Sequence, residues 1–183
     1  KYLPLIASGE LTTSVAVDES SHHNPYDTVL IAKKNSDEYI LSGKKNFVID
    51  GTSSDLLIVL ARTSGKKGDL TGLTLFLVDP TNEGIDRIKL EMADSRNYAN
   101  IIFDNVKISS KNILGDIEAG GEAIDDVLDI GRIAMSAEML GNSEAAFETT
   151  LDYLKQRKQF GVLIGSFQAL QHRAAEMLSL IHI

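Results

Sequence analysis

The sequence predicts an α+β protein: an antiparallel β-barrel or sandwich domain followed by long helices of an incomplete four-helix bundle. Three observations carry this. Short apolar runs with period-2 alternation and turn punctuation fill the chain up to about Gly115. From about Glu122 to Lys158, apolar residues recur near the helical period. The three prolines, Pro4, Pro25 and Pro80, all lie before Glu91, leaving the second part free of the residue that breaks helices. The expected domains are 1–117 and 118–183.

In order, Leu11 to Asp18 reads as a strand, β-branched and partly alternating, and Glu19 to Tyr26 as a polar loop. Thr28 to Lys34 and Tyr39 to Ser42 follow as strands, joined at Asn35-Ser36-Asp37. Asn46 to Ile49 is extended up to the turn pair Asp50-Gly51. Leu56 to Thr63 is a near-continuous apolar run, the mark of a buried strand. Leu73 to Val78 and Ile101 to Ile108 complete the β part, and strands at this spacing make a sandwich or barrel. The helix that follows would span roughly 52 Å, a length suited to a bundle. Gly131 and Gly141 inside it each cost about 1 kcal/mol against alanine, which points to close packing or to a ligand beside the backbone. Glu138 is the acid of that helix expected nearest to burial. The pattern breaks at Phe160-Gly161 and restarts as a second helix after Ser166.

A net charge of −8 excludes a general nucleic-acid binder, whose phosphate contacts require a basic surface. Without cysteine there is no disulfide and no thiolate metal site. No apolar run is long enough to span a bilayer and no signal-peptide pattern opens the chain, so a soluble, cytoplasmic protein is expected. Both ends read as cut, as in a fragment of a longer chain. His22 and His23 are adjacent and would point apart on an extended chain; no metal site is expected there. Gly65-Lys66-Lys67-Gly68 lacks the spacing of a phosphate loop and reads as a hairpin tip. Lys155, Arg157 and Lys158 cluster at the helix break. Helix capping by cations accounts for such a cluster taken alone; it does not account for Arg157, Phe160-Gly161, Phe167-Gln168 and His172 in one register.

That register resembles the acyl-CoA dehydrogenase family, flavoenzymes that desaturate acyl thioesters. Further segments match in order. Lys1-Tyr2-Leu3-Pro4 with Ala7-Ser8-Gly9-Glu10 is similar to the family's entry to its barrel. Gly43 to Gly51 is similar to its G-x-K-x-W-I-T-N-G segment, and Ile102 to Val106 with Asn112 to Gly115 to its closing strand. The resemblance implies FAD as cofactor, an acyl-CoA substrate, an electron-transfer acceptor protein as partner, and homo- or hetero-oligomers formed through the C-terminal helices. It implies flavin contacts from Asp18, Phe47, Val48, Ile49, Arg157, Gln159, Phe160 and Gln168, with Arg157 and Gln168 acting across a subunit interface. Asp129, Gly131 and Arg132 fall where the family holds the CoA portion; a plain surface charge pair is the other reading of Asp129 and Arg132. Two departures stand out. Ile49 lacks the hydroxyl of the family's threonine, and the glycine-rich T-E-P-G-x-G-S loop is replaced by Asp18-Glu19-Ser20-Ser21. Ser95-Arg96 and the Phe47 to Gly51 variant resemble branches acting on bulky or unusual acyl groups. The family's base is a glutamate late in the bundle or one residue before the arginine matched by Arg132. The first position lies beyond Ile183 and the second is Gly131, so no catalytic residue is assigned and the chain is not expected to dehydrogenate by itself. A catalytically silent flavin-binding subunit, and a cofactor-free barrel module, remain as other readings.

Overall fold

The computed structural model describes residues 1–94 and 96–182. It divides into two compact units, Lys1–Asp125 and Asp126–Ile183.

The first unit opens with a short helix, α1 (Leu3–Ser8), ended by Gly9 in the left-handed conformation. Eight strands then build one sheet: β1 (Thr13–Ala16), β2 (Ile31–Asn35), β3 (Glu38–Ile49), β4 (Leu56–Arg62), β5 (Leu73–Val78), β6 (Ile85–Leu90), β7 (Tyr98–Ser109) and β8 (Ile113–Leu114). Their order is β6-β7-β3-β2-β4-β5-β8, with β1 on β4. Most pairs are antiparallel; β1 and β2 each run parallel to β4. The expected α+β class with an antiparallel β domain is therefore observed. Several elements differ in detail from the sequence expectation. Tyr39 to Ser42 and Asn46 to Ile49 are one long strand, β3, carried through two irregularities. Strand β6 went unread because Ile85–Leu90 has no buried residue and so little apolar signal. Gly65 to Gly68 lies in the connection between the antiparallel strands β4 and β5.

The core is a single apolar cluster from both long strands and their neighbours, including Leu41, Val59, Phe76, Ile101, Phe103 and Val106. Tyr39 and Phe76 pack with ring centroids 5.2 Å apart, a distance at which tilted aromatic pairs attract. Gly43 sits where a Cβ would lie 2.9 Å from the Leu30 Cα, so only glycine lets β3 pass the chain before β2 so closely.

Helix α2 (Gly120–Gln156) begins in this unit and continues into the second. Its first turn is buried through Gly120, Gly121 and Ile124. The compact units therefore part inside α2, eight residues past the expected 117/118 division. The second unit continues with a two-stranded hairpin, β9 (Lys158–Gln159) and β10 (Val162–Leu163), and helix α3 (Gln168–His182). Beyond Ile124 no described residue of α2 is buried, and Ile130 and Ile133 are more than two-thirds exposed.

Candidate functional site

In the first unit, strand β3 carries one group of candidate residues. Side chains of a strand alternate between faces, and Tyr39, Leu41 and Lys45 hold the inward positions. If this parity continued, Phe47 and Ile49 would be buried and Val48 exposed. The register shift between Lys45 and Val48 reverses it. Phe47 takes φ 52°, a left-handed conformation that costs a bulky residue about 1–3 kcal/mol. In return Phe47 and Ile49 face outward, about half exposed, while Val48 enters the core at 2%. Val48 is thus closed to any ligand, its carbonyl taken by the Gly51 amide at 3.1 Å. The Phe47 backbone amide donates to Asn100 Oδ1 at 3.2 Å.

The chain before β2 lies against this segment. The Asn46 amide donates to the Asp18 carbonyl at 2.7 Å, and the Asn46 side chain to the Glu19 carbonyl at 2.7 Å. Asp18 and Phe47, widely separated in sequence, are brought together by these bonds. The Asp18 carboxylate meets His23 Nδ1 at 2.9 Å. Beneath them is a pair whose members both fall in the matched segments but whose contact the sequence did not announce: Lys45, with no exposed side-chain surface, bonds Glu19 Oε1 at 2.7 Å, the Val17 carbonyl at 2.8 Å and Thr28 Oγ1 at 3.3 Å. Burial pushes the Lys45 ammonium down to about 8, against the pull of the Glu19 carboxylate. Glu19 also accepts the Val29 and Leu30 amides, so it is a structural acid that closes the loop on itself. Its signal was present in the alternation, since Lys45 falls at an inward position.

The second unit carries its own group of candidate residues. Arg157 directly follows α2, its amide still bonded to the Tyr153 carbonyl. The chain then reverses through Phe160 (φ 54°) and Gly161 (φ 80°), both left-handed, as a two-residue hairpin turn requires. The break expected at Phe160-Gly161 is therefore a β-hairpin with Phe160 at its tip, 92% exposed. The Ile164 amide returns to the Arg157 carbonyl at 2.9 Å, and the Phe167 ring stands edge-on to Phe160 at 6.3 Å. Arg157, Gln159, Phe160 and, just past Phe167, Gln168 are thus gathered at one hairpin, all exposed. Among the described residues the Arg157 guanidinium has no carboxylate partner. A guanidinium without a carboxylate partner is suited to an anionic group such as a phosphate, which its planar fork can bind with two hydrogen bonds.

Asp129 and Arg132 form an exposed ion pair one turn apart on α2, at 2.5 Å. Between them a Cβ on Gly131 would meet nothing within 4 Å, and the same holds at Gly141, so neither glycine answers to packing within the chain. Glu138 is exposed rather than buried. Ser95, quoted above with Arg96, lies outside the described residues.

Two family models match the chain: the middle domain of acyl-CoA dehydrogenase over residues 17–106 and its C-terminal domain over residues 118–183. The chain belongs to the acyl-CoA dehydrogenase family. It is 37% identical to a 3-(aryl)acrylate reductase of Clostridium sporogenes, over 97% of this chain and 48% of that protein. It is 34% identical to the mitochondrial short/branched chain specific acyl-CoA dehydrogenase of Bos taurus, over 96% of this chain and 41% of that one. The structure of PigA with FAD and proline superposes with a TM-score of 0.90 at 26% identity, over 99% of this chain and 48% of PigA. The chain thus spans about half the length of the relatives it matches. The family is one of flavoprotein oxidoreductases, and no helix among the described residues is long and apolar enough to cross a membrane.

Proposed function

We propose that the chain provides the flavin-holding middle and early C-terminal part of an FAD-dependent acyl-CoA dehydrogenase. The observation that carries this reading is the Lys158–Leu163 hairpin: Arg157, with no carboxylate partner among the described residues, stands at its base, and the exposed Phe160 ring stands at its tip. Arg157 would bind the diphosphate through its planar fork, with Gln159 and Gln168 beside it and Phe160 against the adenine, on the flavin of a neighbouring subunit. Phe47 and Ile49 would wall the flavin ring, Asp18 lying near Phe47. When bound, FAD supplies the acceptance of the β-hydrogen as hydride. The chain's residues orient and enclose: Phe47 gives a rigid apolar surface, and Asp129 and Arg132 take the CoA end.

Removal of the α-proton needs a carboxylate at hydrogen-bond reach of that carbon. Gly131 offers none, and Glu138, seven residues along the helix, is displaced by roughly 10 Å at helical rise. We therefore place the base outside these residues, with a separate electron-transfer protein as acceptor. The glycine-free loop after Asp18 favours a second reading, a flavin-binding subunit without turnover of its own; acyl-CoA turnover by the purified full-length protein separates the two.

The test of the site is Arg157→Lys in the full-length protein. It should lose FAD and its oligomeric state together, because an ammonium cannot make the paired bonds of a guanidinium. Unchanged flavin occupancy would remove Arg157 from the site.

A further inference from the structure

The loop between β1 and β2 holds a fixed shape without a single glycine from Asp18 to Leu30, although the family builds the corresponding turn on glycines. Its rigidity has identifiable sources. Glu19 accepts the Val29 and Leu30 amides at 2.8 and 3.0 Å, tying the two ends together. Asn24 caps the short 3-10 turn Pro25–Asp27 by accepting the Tyr26 amide. Those contacts are internal to the loop or lie at its base. Tyr26 ties the crown of the loop to the rest of the fold at two points, beside the exposed Asp27–Lys67 pair at 3.5 Å and the bonds of Thr28 to Arg62 and Lys45. Its carbonyl accepts Arg62 Nη2 at 2.9 Å and the Gly68 amide at 2.9 Å. Arg62 is itself buried, 6% exposed, and its Nε donates to the Thr28 carbonyl at 2.8 Å. At the other end of the side chain, the Tyr26 hydroxyl donates to the Asp125 carboxylate in the second turn of α2. The ring between these anchors lies against Gly121, where a Cβ would come within 3.3 Å of Tyr26 Cε1 and 3.1 Å of the Leu70 carbonyl.

We propose that Tyr26 is a positioning residue: held at its carbonyl by Arg62 and at its hydroxyl by Asp125, it fixes the glycine-free loop that carries Asp18 and lies against Phe47. The loop adjoins the flavin platform, so its effect on flavin rests on the function proposed above, while its effect on loop order does not. The hydrogen bond to Asp125, then burial and the nearby carboxylates, hold the Tyr26 hydroxyl above its ordinary pKa, so it remains a donor across the working range of pH. A hydrogen bond to a charged acceptor is worth enough to change local opening by about tenfold or more. Asp125 also explains the residue type: phenylalanine would fill the same space against Gly121 and leave the carboxylate without its donor.

The test compares Tyr26→Phe, Asp125→Ala and Asp125→Asn with wild type in the full-length protein, reading amide exchange over residues 20–29 and the rate of FAD release. Tyr26→Phe and Asp125→Ala should each speed exchange in the loop by about tenfold while β4 and β5 keep their protection. FAD release should quicken in the same two variants and the flavin band shape should change with it. Asp125→Asn, whose amide oxygen still accepts but carries no charge, should fall between wild type and Asp125→Ala in both readouts. Loop exchange unchanged in Tyr26→Phe would overturn the proposal, as would an equal loss of protection in every strand. If the wild type retains no FAD, the flavin reading fails by itself, and loop exchange in the three variants still decides whether Tyr26 holds the loop.

Discussion

The buried Lys45–Glu19 pair gives the most exacting test of the energetics. Glu19→Gln removes the charge opposite Lys45, whose side chain has no exposed surface, and leaves one acceptor oxygen where the carboxylate uses two, Oε2 for the Val29 amide and Oε1 for the Leu30 amide. Breaking a buried pair on one side leaves an uncompensated charge and costs about 3–5 kcal/mol. Lys45→Met with Glu19→Gln removes both charges, and should recover most of that loss. Proton linkage adds an independent reading. An unfolded lysine keeps its proton to about pH 10.4, whereas folded Lys45 releases it near 8. Between those values unfolding takes up a proton, so the folded state gains stability as pH rises through the window. Below about pH 8 the full penalty is present, on the order of 3 kcal/mol for a shift of this size. Urea unfolding of wild type and Lys45→Met from pH 7 to 10.5 cancels the titrations common to both. Wild type should gain on the variant by that amount across the window. A flat difference, or a Glu19→Gln cost below about 1 kcal/mol, would refute the reasoning.

Phe47→Gly should stabilise the fold by about 1 kcal/mol, by relieving the left-handed φ of 52°, and yet weaken FAD retention; denaturation and flavin occupancy measured on one preparation check both signs. Phe76→Ala should cost about 3–5 kcal/mol in urea unfolding, because the ring is wholly buried at the centre of the sheet's core. Arg132→Ala should change stability by less than about 1 kcal/mol, since its pair with Asp129 is exposed, and raise KM for acyl-CoA with little change in kcat.

The β-rich first part and helical second part were legible because each hydrophobic period is long and sustained, and the chain's class follows from that contrast. Leu73–Val78 was read to the residue, being apolar and flanked by turns. Strand β6 was not, since an edge strand with polar faces carries no such period. The candidate site divides in the same way. The hairpin residues stood out as a motif, but two left-handed residues in succession, Phe160 and Gly161, are a conformational fact that a helix-stop signal resembles. The parity reversal after Lys45 was invisible, because a bulge inserts a residue without changing composition. It decides that Val48 is buried and its two neighbours are not. The Tyr26–Asp125 contact joins residues 99 positions apart and has no local signature at all.

The central claim is a flavin site serving acyl-thioester chemistry. It is tested most directly by the visible spectrum of the purified full-length protein, recorded without oxygen before and after a panel of acyl-CoA thioesters is added. The account predicts bound flavin whose bands bleach with at least one member of the panel. A protein that purifies without flavin and takes none up when FAD is supplied would contradict it.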